Sequence, residues 1–95
     1  MKNADRAMLR KAGHHLRPAI MIGRSGLDER VERACDINLN QSELIKGRVL
    51  EGSGLESKQV AAELAAKTQS VVVQVIGHNF LLFKQKVKES KFNIH

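Results

Sequence analysis

Apolar residues recur at helical spacing in three segments of this chain and cluster or alternate in four others. The first helical pattern covers Ala4 to Ala12, with Asn3 as its cap. Ala4, Ala7 and Met8 form its apolar face, continued towards Lys11 and Ala12. Gly13 suits the residue after the helix, and Pro18 forbids a helix running through it. The run Ala19–Ile22 follows as a short strand, apolar enough to be buried. The second helix is expected from Leu27 to Leu39, with Leu27, Val31, Ala34 and Cys35 inward and Glu32, Asp36 and Asn40 facing water. Ser25 is its expected cap, with Asp28 completing a capping box, and Asn40-Gln41-Ser42 ends it.

Alternation returns over Glu43–Leu50, where Lys46 and Arg48 share a face with Leu44 and Leu50, opposite Ile45 and Val49. Gly47 fits a strand poorly and predicts a bulge or a close approach. Gly52-Ser53-Gly54 is a loop, and Ser53 with Glu56 has capping-box spacing for a third helix over Leu55–Thr68. That helix places Val60, Ala61, Leu64 and Ala65 inward. Val71–Ile76, a turn at Gly77-His78-Asn79, and Phe80–Phe83 predict a closing hairpin. The order αβαβαββ is that of a small single α/β domain over residues 1–95: a four-stranded mixed sheet packed with three helices.

Charge changes the picture more than composition does. The net charge is +6, and the excess sits at the two ends. Lys2, Arg6, Arg10, Lys11, Arg17 and Arg24 precede residue 25 against Asp5 alone, and Lys84, Lys86, Lys88 and Lys91 form a basic tail over 84–95 against Glu89. Residues 25–83 carry more acidic than basic groups. If folding joins the two ends, the result is a positive surface suited to a polyanion, and arginine fits phosphate geometrically. The single cysteine, Cys35, falls on an apolar stripe and is expected to be a buried, inert thiol in a reducing compartment. No apolar run is long enough to span a bilayer, and the first residues lead into no signal-peptide core, so a cytoplasmic location is expected.

The candidate chemistry centres on Gly23-Arg24-Ser25-Gly26. Glycines around a cation let backbone N–H groups, here those of Ser25 and Gly26, approach a phosphate while Arg24 reaches a neighbouring one. A following helix N-terminus adds partial positive charge. The tetrapeptide alone is also a tight strand-to-helix turn, and it lacks the Gly-Lys-Ser/Thr ending of a nucleotide loop. Asp28 and Glu29 are accounted for as first-turn helix charges. His14 and His15 have no metal-ligand spacing with other donors, so they are assigned to loop packing or to a backbone contact with a ligand, with packing favoured for His15 beside Leu16. His78 is expected at the surface of the hairpin turn. Phe80 and Phe83 are expected in the core, and Phe92 either contacts a partner or is disordered. With three phenylalanines, no tyrosine and no tryptophan, the chain is poorly equipped for base stacking and better suited to backbone and shape recognition.

The string Arg10-Lys11-Ala12-Gly13-His14-His15-Leu16-Arg17-Pro18, running into Ile22-Gly23-Arg24-Ser25-Gly26-Leu27, resembles the CRM domain family (chloroplast RNA splicing and ribosome maturation). Glu43-Leu44-Ile45-Lys46, Val75-Ile76-Gly77 and Leu82-Phe83-Lys84 continue the resemblance in the family's order, over nearly the whole chain. A domain without long extensions is similar to the standalone bacterial members, the YhbY type. The resemblance implies a fold like the C-terminal domain of translation initiation factor three. It further implies RNA binding, association with large-subunit ribosomal RNA or its precursor particles, and no catalytic activity; the residues themselves lead to no expectation of a cofactor or metal. It places the glycine-loop role on Gly23, Arg24, Ser25 and Gly26 and the flanking basic surface on Arg10, Lys11, Arg17, Lys46 and Lys84. Gly47 stands where the family has a β-branched residue, Phe83 where tyrosine is frequent, and Glu32 and Asn38 at helix positions often apolar.

The expectation is therefore a monomeric, non-enzymatic protein whose partner is RNA, with neither a membrane nor a small-molecule substrate. A basic adaptor docking an acidic protein on the ribosome, a binder of another structured RNA, and a small RNA-modifying or cleaving enzyme are the alternatives.

Overall fold

The elements follow one another as α1 (Asn3–Gly13), β1 (Pro18–Ile22), α2 (Glu29–Ser42), β2 (Leu44–Val49), α3 (Ser57–Thr68), β3 (Val71–Ile76) and β4 (Asn79–Phe83). This is the order that the hydrophobic pattern predicts. The computed structural model describes residues 1–92, so residues 93–95 of the expected tail lie outside it. The strands form one sheet in the order β1-β2-β4-β3. β1 runs parallel to β2, and β4 is antiparallel to both β2 and β3. Among the described residues no helix is long and apolar enough to cross a membrane.

Side-chain alternation along the strands sends residues to two unequal layers. On one face Ile20, Ile22, Ile45, Val49, Phe80 and Leu82 pack under α2 and α3, which contribute Cys35, Leu39, Val60, Ala61, Leu64 and Ala65. The inward residues expected for α3 are all found there. On the other face α1 inserts Leu9 among Leu44, Val73, Leu81 and Phe83. Twelve buried residues stand against five, so most of the burial free energy lies on the α2/α3 side.

Helix α1 corrects the expectation for its inward face. Ala4, Ala7 and Met8 are exposed, and the helix turns Leu9 and Gly13 to the sheet. Turning Leu9 and Gly13 inward lets the helix lie close against Leu81 and seat Leu9 among Leu44, Val73 and Phe83. Asn3 lies inside the helix, whose cap position is Lys2 with no side-chain bond. Gly13 belongs to the last turn: a Cβ there would lie 2.5 Å from Leu81 Cδ1, so glycine is used for close approach. Arg6 fixes the helix further by donating from Nη1 to the carbonyls of Val72 and Val73, both at 2.9 Å. These carbonyls sit where the β3–β4 register shifts, between Val72 and Gln74.

Gly47 is likewise a close approach, since a Cβ would come within 2.3 Å of Cζ of its cross-strand partner Phe80. The expected burial of the whole first strand holds only for Ile20 and Ile22. β1 is an edge strand, and Ala19 and Met21 are exposed. α3 starts at Ser57, two residues later than expected, and Ser53 accepts from the Leu55 amide in the preceding loop instead of capping the helix.

The break expected at Asn40-Gln41-Ser42 falls at Glu43, which takes φ 64° after a helix that continues to Ser42. Its amide donates to the Leu39 carbonyl, and its carbonyl accepts from the Lys84 amide. Its buried carboxylate accepts from the amides of Lys86 and Lys91 and from the Ser90 hydroxyl. Burial pushes this carboxyl up, but the Ser90 hydroxyl and the two amides outweigh it and hold the group below its ordinary range. Residues 84–92 are thereby folded back on the domain. Phe92 meets Phe83 edge to face with ring centroids 5.4 Å apart, an intramolecular contact in place of the expected partner contact or disorder.

Candidate nucleic-acid interface

Gly23-Arg24-Ser25-Gly26 leaves the end of β1 as a turn closed by the Gly26 amide on the Gly23 carbonyl at 3.0 Å. This corrects the expected donor pair, because the Gly26 N–H is already used. The amides at the exposed tip, Arg24 and Ser25, have no hydrogen-bond partner among the described residues. Gly26 has φ +67°, a conformation that favours glycine, whereas a Cβ at Gly23 would meet only Leu50 Cδ1 at 3.6 Å. Nothing in the fold therefore demands glycine at position 23.

The expected capping residue is also corrected. Asp28, not Ser25, caps α2, accepting from the Val31 amide at 3.0 Å. The longer linker after the glycine turn moves the helix start three residues away from Ser25. The Val31 amide, with Arg30 beside it and against some burial, holds the Asp28 carboxyl below the usual range. The turn borders a groove of about 450 Å³ that is also lined by Met21, Arg30, Val31 and Ala34. On its other side Arg24 shares a depression with Leu50 and Glu51.

The remaining predicted cations lie elsewhere. Arg10 and Lys11 are exposed in the last turn of α1, and Lys46 on β2 donates to the His14 carbonyl at that helix end at 3.3 Å. Arg17 immediately precedes β1. These four gather round the C-terminal end of α1, where cations are favoured by the helix dipole. The glycine turn is at the far end of β1, on the order of 20 Å from Arg17 at about 3.3 Å per strand residue. Lys84 joins neither group: it directly follows Phe83, which faces α1, and its amide still pairs with the Glu43 carbonyl, so strand alternation turns it to the α2/α3 side.

Pairing of charges separates the two faces. All three ion pairs among the described residues, Arg30–Asp28, Arg33–Glu29 and Lys67–Glu32, lie on α2, α3 or the turn before α2. Arg10, Lys11, Arg17, Arg24, Lys46 and Arg48 have no carboxylate partner there. No strand carries an acidic residue, and the strands' two charged residues, Lys46 and Arg48, both face the α1 side. Arg48 was not singled out from the sequence, although the alternation that pairs it with Lys46 was the available signal.

His14 and His15 are both exposed, with ring centroids 5.1 Å apart, so the packing expected for His15 beside Leu16 is not found. His78 is exposed in the hairpin turn, as expected. Cys35 is fully buried, and desolvation pushes its thiol up to about 11, as suits an inert core residue.

The similarity of this chain to known proteins runs over nearly its whole length. An RNA-binding protein of Haemophilus influenzae is 33% identical over 99% of this chain and 94% of its own length. YqeI of Bacillus subtilis, named a probable RNA-binding protein, is 33% identical over 92% of this chain and 90% of its own. The solution structure of the hypothetical Staphylococcus aureus protein SAV1595, named a putative RNA binding protein, superposes with a TM-score of 0.83 at 27% identity and covers 100% of this chain and 99% of its own. The CRS1/YhbY (CRM) domain family matches residues 1–84, and the chain belongs to that family.

Proposed function

We propose that this protein binds RNA without catalysing a reaction on it, and that its target is large-subunit ribosomal RNA in precursor particles. The observation that carries the reading is that the cations at the end of α1, on β2 and in the glycine turn have no carboxylate partner among the described residues, while every ion pair found there lies on α2, α3 or the turn before α2. A polyanion supplies what those cations lack, and binding releases its counterions. The Arg24 and Ser25 amides at the turn tip face one phosphate, and Arg24 adds a charged hydrogen bond. Glycine at position 23 leaves room for that approach. The names of the relatives support RNA as the ligand. The chain acts as a monomer in the cytoplasm, and no membrane, metal or small-molecule substrate enters this reading.

Gradient sedimentation of lysate with and without nuclease, together with binding to a structured large-subunit RNA fragment, tests it. Co-migration with free large-subunit particles that Arg24→Glu abolishes is the expected result. Equal loss on neutralising any two tail lysines would reduce the interaction to bulk charge. Association that survives thorough nuclease digestion would favour a protein partner.

A further inference from the structure

The two cation groups leave a gap, and the sheet fills it. α1 covers Leu44, Val73, Leu81 and Phe83 but stops at Gly13, leaving the rest of that face open. Strand register places Met21, Arg48, Asn79 and Ile76 in one row across all four strands, on the α1 side. Lys46, Leu81 and Gln74 form the row below it. The upper row begins two residues before Gly23, and the lower row reaches the His14 carbonyl at the end of α1. With Leu81 covered by α1, the uncovered members of the two rows run from the glycine turn to the Arg10, Lys11 and Arg17 group.

Their chemistry is mixed in a particular way. Met21 and Ile76 are 58% and 62% exposed, large apolar side chains at either edge of a surface bearing two cations and no carboxylate. Between them Gln74 and Asn79 carry amides, and Asn79 Oδ1 is a buried acceptor with no partner among the described residues. Such an acceptor is costly unless a donor reaches it. Asn79, Gln74, Lys46 and Ile76 line a hollow of about 220 Å³ beside Gly13. A duplex presenting only phosphates would use the cations and leave the apolar and amide groups idle. An unpaired nucleotide uses all three kinds: apolar side chains against the base face, amides on its edge, cations on its phosphate.

We propose that this open row seats unpaired nucleotides of the bound RNA, linking the phosphate held at the glycine turn to the cations at the end of α1. The proposal rests on the RNA-binding reading above and names the form of RNA that this surface selects. The test compares an RNA stem bearing an unpaired uridine-rich extension with the same stem blunt-ended. Wild-type protein is expected to prefer the extended stem roughly tenfold. Ile76→Glu, at an exposed position and checked for an unchanged thermal melt, removes that preference while retaining binding to the blunt stem. Arg24→Glu weakens both RNAs. Photocrosslinks from 4-thiouridine in the extension are expected at Met21 or Ile76. Equal wild-type affinity for the two stems, or a preference untouched by Ile76→Glu with crosslinks elsewhere, would overturn the open row and leave RNA binding standing. Absence of binding to either stem would overturn both.

Discussion

Beneath α2 and α3 the sheet buries twelve core residues, and that side holds all three ion pairs among the described residues; beneath α1 it buries five, and its cations have no carboxylate partners there. The same four strands serve both sides. What differs is how much of each face is covered, and by which side chains. Stability concentrated on one face relieves the other of the need to be apolar. Lys46 and Arg48 can then occupy central-strand positions without being desolvated and unpaired, which would be costly. α1 completes the second side at only one end, held by Leu9, the close contact at Gly13 and the Arg6 bonds to β3.

The largest expected effects test where stability resides. Leu64→Ala empties a fully buried site between α3 and the sheet and is expected to cost about 2–5 kcal/mol in urea unfolding. The protein that remains folded should bind RNA with unchanged affinity. Leu9→Ala is the same chemistry on the thinner side, where the site can collapse more easily, so its cost falls towards the low end of about 2–5 kcal/mol. It should also weaken RNA binding, because α1 shifts with Arg10 and Lys11. Equal costs with no effect on binding in either variant would erase the distinction between the faces.

Charge reversals at matched net charge sharpen the comparison. Arg48→Glu is expected to weaken RNA binding by at least about tenfold, or roughly 1.4 kcal/mol. Arg33→Glu, on α2, breaks only an exposed pair with Glu29 at 3.5 Å and should leave affinity nearly unchanged. Equal losses in filter binding would mean that total charge, not its placement, governs the interaction. A smaller effect is expected from Lys46→Ala, which should lower the slope of log affinity against log salt by about 1.

Acid titration reaches the junction of the tail with the domain. Folding holds the Glu43 carboxyl below its ordinary value, so the unfolded chain binds its proton more readily. The resulting stabilisation is fully present above the ordinary glutamate range and disappears as pH falls through the folded-state value. Wild-type stability should therefore show an acid limb that Glu43→Gln lacks, measured by thermal melts across the pH range. Glu43→Gln is itself expected to cost about 1–3 kcal/mol at neutral pH, where hydrogen bonds to a charged acceptor are lost.

The element order, the core of α3, the buried Cys35 and the buried Phe80 were legible because period and residue size point the same way. Where Ala4, Ala7 and Met8 competed with Leu9 in α1, counting apolar positions chose the wrong face, and the fit of Leu9 and Gly13 against the sheet decided the matter. Caps were misread at Ser25 and Ser53 because a hydroxyl at the right spacing says nothing about where the backbone leaves the preceding turn. The glycine turn was visible from the sequence, but its free donors were not: they depend on which amide closes the turn on the Gly23 carbonyl. Lys84 illustrates the same limit, since the α2/α3 face claims it although its charge suggests the other. Glu43 was assigned simply to a strand, and its contacts with Lys86, Ser90 and Lys91 require the folded chain.

Those contacts bear on where the smallest intact unit of this protein ends. The family match stops at residue 84, yet a chain cut there would strand a buried carboxylate at a left-handed backbone position and remove all three of its side-chain donors. Two of those donors are backbone amides, and of the tail's ammonium groups Lys86 Nζ donates to the Gln41 carbonyl at 3.2 Å. Lys88 and Lys91 keep theirs free of any partner among the described residues. The lysine-rich terminus is thus less a trailing brush of charge than a stitched hem, tied in by peptide groups and the Lys86 ammonium and presenting Lys88 and Lys91 outward from a fixed line.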